Sequence, residues 1–88
     1  MTRITRIKQK LDVLKPQYLE IIDETPKHSG HFESETLLET HLVIKISTDN
    51  LYNLSLVAQH KIINDLLKEE FQDGLHALSI RILKKSTQ

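Results

Sequence analysis

Residues 40–48 alternate without a break. Leu42, Ile44 and Ile46 share one face, while His41, Val43, Lys45 and Ser47 share the other. A period of two is the signature of a strand with one buried face, so a sheet must exist and something must cover it. Residues 75–83 alternate in the same way, with Leu78, Ile80 and Ile82 on one face. Residues 18–23, YLEIID, form a short apolar run suited to a third strand.

The cover comes from segments with helical spacing. Ile4, Ile7, Leu11 and Leu14 recur every three or four residues and make one stripe. Thr2 is placed to cap that helix, and Pro16 to stop it. After a connection over residues 49–54, a second helix is expected to start near Ser55, with Leu56, His60, Ile63, Leu67 and Phe71 as its stripe. Gly74 is its expected C-terminal stop. Between the first two strands lies a segment over 26–38 carrying Pro26, Ser29, Gly30 and several charges. It reads as a loop, long for a compact domain, and long loops are often functional.

The order αββαβ makes this an α/β (α+β) chain. The first two strands pair antiparallel across the long loop. The last two, joined through a helix, favour a parallel pair by right-handed crossover. A three-stranded mixed sheet with both helices on one face buries the stripes. With 88 residues there is room for one domain, spanning 1–88, with a polar tail from Lys84 expected to fray.

Composition then narrows the function. Twelve Lys and Arg balance 12 Asp and Glu. A neutral domain is not an obvious binder of nucleic acid, which is held largely through phosphate neutralisation. Basic residues gather in the first helix (Arg3, Arg6, Lys8, Lys10 and Lys15) and acidic ones in the segment after it (Glu20, Asp23, Glu24, Glu33, Glu35, Glu39). Two solvated faces are the simplest reading. No apolar run is long enough for a membrane span and the N-terminus lacks a signal peptide's apolar core, so a cytoplasmic protein, or its bacterial or matrix equivalent, is expected. There is no cysteine, hence no disulfide and no thiolate. Metal must bind through histidine or carboxylate, or through thiolates of another molecule. The chain has no Gly-x-Ser-x-Gly step, no His-Glu-x-x-His motif and no phosphate-binding glycine loop, so it is not expected to be an enzyme.

Five histidines are the chemically interesting inventory. By alternation His76 shares the face of Leu78 and Ile80; spacing alone favours a structural residue closing the core over a ligand. His28 and His31 form a His-x-x-His pair in the loop, readable as solvated polar residues or as ligands. With a loop glutamate they would make a zinc site, a weaker alternative. His60 falls on the apolar stripe and reads as a neutral, hydrogen-bonded core histidine. His41 reads as a strand surface residue beside Lys45, with a place at the border of the loop site as the alternative.

Three stretches carry a resemblance. Residues 19–25, LEIIDET, run into a His-bearing loop. Residues 39–44 read ETHLVI. Residues 59–64, QHKIIN, are followed by LLKEE at 66–70 and LHALSI at 75–80. Together, in this order over nearly the whole chain, they resemble the BolA family. Gln59 and Lys61 depart from its Arg-His-Arg step, Leu42 from an aromatic, and Leu51-Tyr52-Asn53 from Phe-x-Gly.

The resemblance implies a fold like the type II KH domain without catalytic activity. It implies partnership with a monothiol glutaredoxin, either cluster-free or bridged by a 2Fe-2S cluster, in cluster trafficking or maturation or in iron regulation. It also implies that His76 is an iron ligand, because the family's ligand histidine stands at this His-Ala-Leu position, and that a loop histidine is the second: His28 by its distance from Glu24, with His31 the alternate. The chain has imidazoles and no thiolates, so it offers half a site. The glutaredoxin and its glutathione would supply the sulfurs, and the chain alone would hold no cluster. Some family members are assigned transcriptional regulation. That alternative, a nucleic-acid-binding regulator, would use His60, Lys61 and Lys68, with weak binding given the neutral charge. No small-molecule substrate is expected.

Overall fold

The computed structural model describes residues 2–25 and 39–84. Helix α1 (Arg3–Leu11) begins at Thr2, whose hydroxyl accepts from the Thr5 amide at 3.1 Å. This satisfies one of the amides that a helix start leaves without an intrahelical partner. A 3-10 turn (Asp12–Leu14) follows, and Lys15, in the left-handed region at φ 50°, turns the chain into Pro16. Strand β1 (Tyr18–Asp23) and strand β2 (His41–Ser47) come next, then helix α2 (Leu56–Leu66), helix α3 (Lys68–Gln72) and strand β3 (Ala77–Ile82).

The sheet order is β1-β2-β3. β1 and β2 are antiparallel, with Tyr18 opposite Ser47 and Asp23 opposite Leu42. β2 and β3 are parallel, with His41 opposite Ala77 and Ile46 opposite Ile82. The expected mixed topology is therefore the observed one. Leu42, Ile44 and Ile46 are buried in one cluster with Ile7 and Leu11 of α1, Ile63 of α2, Leu51, Leu67 and Leu75. Helices α1 and α2 thus cover the same face. As the central strand, β2 is more buried than one-sided alternation implies, because Val43 and Ser47 on its other face are also buried.

The second helix departs from the sequence expectation in two ways. It is not continuous to Gly74. At Leu67 the backbone leaves helical geometry (φ −103°, ψ 12°), and its amide is shared between the Ile63 and Asn64 carbonyls. A shared amide of this kind is common where a helix ends. The stripe is also different. Leu56 is 64% exposed and Phe71 37%. The inward residues are Gln59, Ile63, Leu67 and Glu70. Gln59 earns its inward place by donating from Nε2 to the Leu51 carbonyl at 2.7 Å. The helix starts where expected, and Ser55 caps it by accepting from the Ala58 amide. Gly74 ends α3 at φ 119°, a conformation that glycine adopts without strain.

The basic face of α1 is not a solvated one. Glu70, with its side chain 3% exposed, receives Arg6 in a two-point contact (Nε to Oε2 at 3.0 Å, Nη2 to Oε1 at 2.9 Å). Lys10 Nζ donates to Oε2 at 3.0 Å and Arg3 Nε to Oε1 at 3.3 Å. Arg3 also reaches the Glu39 and Asp73 carbonyls, each at 2.8 Å. The hydrogen bonds from Arg6 and Lys10, with their charges, hold the Glu70 carboxyl down at about 2 against burial, which opposes them.

Candidate functional site

The sheet ends in a knot of main-chain and side-chain bonds around two histidines. Asp23, Glu24 and Thr25 leave β1; Glu39, Thr40 and His41 enter β2. Asp23 accepts the Thr25 amide at Oδ1 (2.9 Å) and the Glu39 amide at Oδ2 (3.2 Å). Thr25 Oγ1, on a residue 2% exposed, accepts both the Thr40 amide (2.9 Å) and the His41 amide (3.2 Å). The Glu24 amide donates to the His41 carbonyl at 2.7 Å. Glu39 sits at φ 61° and its carboxylate accepts the Ile4 amide at 2.7 Å, tying the start of α1 to the same knot. The two acidic-threonine steps in the sequence are thus the two halves of one hydrogen-bonded junction.

Thr25 is the acceptor on which this junction turns. Thr25→Val keeps the shape and removes the oxygen, leaving the Thr40 and His41 amides without it. A loss of about 1–3 kcal/mol is expected, with Thr25→Ser close to wild type, both read from urea denaturation midpoints.

Thr40 positions the histidines. Its carbonyl accepts the amides of His76 (2.9 Å) and Ala77 (3.0 Å). Its hydroxyl bonds His41 Nδ1 at 3.0 Å. The imidazoles of His41 and His76 lie stacked, with ring centroids 6.0 Å apart and planes 27° apart. Beside them Glu24, Val43, Ala77 and Ser79 line an open groove.

These positions revise several expectations. His76 does not continue the Leu78 and Ile80 face. Two consecutive amides on one carbonyl interrupt the alternation just before β3, so His76 is exposed and its ring lies against His41. His41 is half-buried and bears on the site directly. His60 is not a core residue: it is half-buried on the outer side of α2, bordering a surface groove with Leu56, Val57 and Lys61, because Gln59 holds the inward position. Lys61 and Lys68 are exposed, and Lys61 faces Asp65 one turn on, at 3.8 Å. His28 and His31 lie outside the described residues. Among the described residues, no group of three or more His, Cys, Asp or Glu side chains converges as a metal site, and no helix is long and apolar enough to cross a membrane. Thr25 and Thr40 escape sequence reasoning, since a threonine at a strand end carries no signal of what it will bond.

A small α+β sheet module with an imidazole pair at one end, and no thiolate of its own, is the class of protein this fold and site define. Residues 11–87 match the family model described as BolA-like protein, and the chain belongs to that family.

Its relatives agree with the architecture. The chain is 40% identical over 81 residues to Protein BOLA1, chloroplastic, of Arabidopsis thaliana, covering 89% of this chain and 51% of that protein. The solved structure of BolA1 from Arabidopsis thaliana superposes with a TM-score of 0.85 at 36% identity, over 96% of this chain and 93% of that one. SufE-like protein 1 of the same plant is 40% identical over 84 residues, 90% of this chain but 23% of that protein. Its BolA domain superposes with a TM-score of 0.81, over 96% of this chain and 93% of the domain. The chain therefore spans about half of one plant relative and about a quarter of the other. A Vibrio cholerae protein named DNA-binding transcriptional regulator BolA is 31% identical over 75 residues, 84% of this chain and 67% of that protein.

Proposed function

We propose that this chain is a non-catalytic, cytoplasmic module that binds a 2Fe-2S cluster jointly with a monothiol glutaredoxin, in cluster trafficking, maturation or iron regulation. The observation that carries the reading is His76: an exposed imidazole at the mouth of the sheet, backbone-anchored through Thr40, in a cysteine-free chain. Such a chain can give nitrogen donors and must receive sulfur donors from elsewhere. The glutaredoxin thiolate and its glutathione are the sulfur half in this reading. His76 and a loop histidine are the nitrogen half, His28 first and His31 in reserve. His28 is three residues beyond Thr25, a chain reach of at most about 11 Å. Replacing two thiolates on one iron by imidazoles raises the reduction potential. The cluster is cargo here, and this chain's part is to bind and orient it.

The test is colour. Incubated alone with iron, sulfide and glutathione, the chain is expected to stay colourless and monomeric. With a monothiol glutaredoxin added, the mixture is expected to gain the visible absorption and circular dichroism of a 2Fe-2S cluster. A stable cluster on the isolated chain, or none on the mixture, overturns the reading.

The name of the Vibrio cholerae relative favours a second reading, a nucleic-acid-binding regulator working through His60, Lys61 and Lys68. It ranks lower, because net charge is zero and Lys61 already faces Asp65.

A further inference from the structure

The bonds at the sheet end form a relay that reaches His76 from another strand. We propose that Thr25, just past the end of β1, is a positioning residue for His76, acting through the single peptide unit that joins Thr40 to His41. The proposal deepens the cluster-sharing reading and rests on it, since it takes His76 as the imidazole that the shared site uses.

Connectivity is the first argument. The His41 amide donates to Thr25 Oγ1 at 3.2 Å. The carbonyl of the same peptide unit, that of Thr40, accepts the amides of His76 at 2.9 Å and Ala77 at 3.0 Å. The peptide bond between them is trans. A trans peptide is planar and stiff, with its N–H and C=O pointing in opposite directions. Thr25 and His76 therefore hold the two sides of one plate, and a tilt of the plate moves the carbonyl from which His76 hangs. The Thr40 amide donates to the same Thr25 oxygen at 2.9 Å, which fixes the preceding peptide unit as well.

Anchorage is the second. Thr25 is buried, and its own amide donates to Asp23 Oδ1 at 2.9 Å. Asp23 Oδ2 accepts the Glu39 amide at 3.2 Å, so the start of the relay is tied to both strands. His76 is exposed, and its backbone sets its aim. The two bonds to Thr40 are the ones that turn it out of the alternation of β3.

Cooperativity is the third. Hydrogen bonds in a chain polarise one another, so a peptide whose N–H is donated offers a stronger C=O acceptor. Removing the Thr25 oxygen strands the Thr40 and His41 amides and weakens the hold of the Thr40 carbonyl on His76. Loss of a group that orients a metal ligand typically costs about 10–100-fold in metal affinity.

Cluster lability separates positioning from stability. Wild type, Thr25→Val, Thr25→Ser and Gln59→Leu are each reconstituted with a monothiol glutaredoxin, glutathione, iron and sulfide, at a temperature where far-ultraviolet spectra show the chains folded. Gln59→Leu is the stability control: it removes the donor to the buried Leu51 carbonyl, beyond the opposite end of β2. A chelator is expected to strip the cluster from the Thr25→Val complex on the order of tenfold faster than from wild type, with altered visible circular dichroism. A folded Thr25→Val chain that forms no cluster at all supports the proposal equally. Thr25→Ser and Gln59→Leu are expected to stay within about twofold of wild type. A Thr25→Val complex that matches wild type in rate and spectrum overturns the proposal, as does equal lability in Thr25→Val and Gln59→Leu. A folded Thr25→Ser chain that loses the cluster on the order of tenfold faster also overturns it, which keeps the test decisive where Thr25→Val does not fold. A wild-type mixture that forms no cluster overturns the cluster-sharing reading itself, and this proposal with it.

Discussion

Glu70→Ala is expected to be among the most damaging single substitutions in this chain, lowering stability by about 3 kcal/mol. The carboxylate is the shared acceptor for Arg3, Arg6 and Lys10, whose side chains are 12%, 34% and 25% exposed. Removing it leaves three partly buried cations facing one another across a gap. Breaking a buried ion pair from one side typically costs roughly 3–5 kcal/mol, and the lower end applies where the cations still reach water. For a chain of this length the loss corresponds to a fall in Tm of about 10–20 °C. Glu70→Gln keeps the size and most of the acceptor capacity but not the charge, and separates the two contributions.

The same group sets an acid dependence whose sign follows from its depressed pKa. Folding holds the carboxyl at about 2, below its ordinary 4.5. Its contribution is therefore fully present above pH 4.5 and is lost as pH falls from there toward about 2. The difference amounts to about 3 kcal/mol as an upper bound. Urea denaturation of wild type and Glu70→Gln near neutrality and again near about pH 3 is the measurement. Wild type should lose stability over that interval by more than the variant. Parallel profiles would show that Glu70 is ordinary in the folded state.

His76→Ala is expected to abolish the histidine-ligated cluster in the glutaredoxin complex and to leave the fold intact. The side chain is exposed, and the bonds that place the residue run from its backbone amide, which alanine retains. Stability should therefore change by no more than about 0.5 kcal/mol. The ligand role is different, because it belongs to the imidazole, which alanine lacks, and the backbone that presents it is fixed. His28→Ala should give a weaker or altered cluster instead, since His31 is three residues on and can take its place. Visible circular dichroism of the reconstituted complex reads the cluster, and far-ultraviolet spectra control for folding. An unchanged visible spectrum in a folded His76→Ala complex removes His76 from the ligand set.

Periodicity was a good guide wherever the pattern was apolar and the partner was a sheet face. Leu42, Ile44 and Ile46 are all buried, and the αββαβ order led directly to the antiparallel and parallel pairs observed. It failed on the second helix for a definite reason. Leu56 and Phe71 were selected as apolar, yet the inward positions at the two ends of that stripe belong to Gln59 and Glu70. A polar side chain is buried when a partner meets it, and the partners here are the Leu51 carbonyl and the cations of α1, more than sixty residues away from Glu70 for Arg3 and Arg6. Nothing within a helical turn of Glu70 announces them.

The site divides along the same line. His76 was legible as a residue of interest, through its place before an alternating run and through the family resemblance. Its neighbour was not. His41 and His76 are separated by a loop and two helices, and only the register of β2 against β3, with His41 opposite Ala77, sets their rings side by side. Local periodicity determined the elements, their order and the buried face, because side-chain spacing along a strand or helix depends only on neighbours in sequence. Tertiary structure decided which polar groups are buried and which histidines meet, because a hydrogen bond or an ion pair is a property of two distant places on the chain.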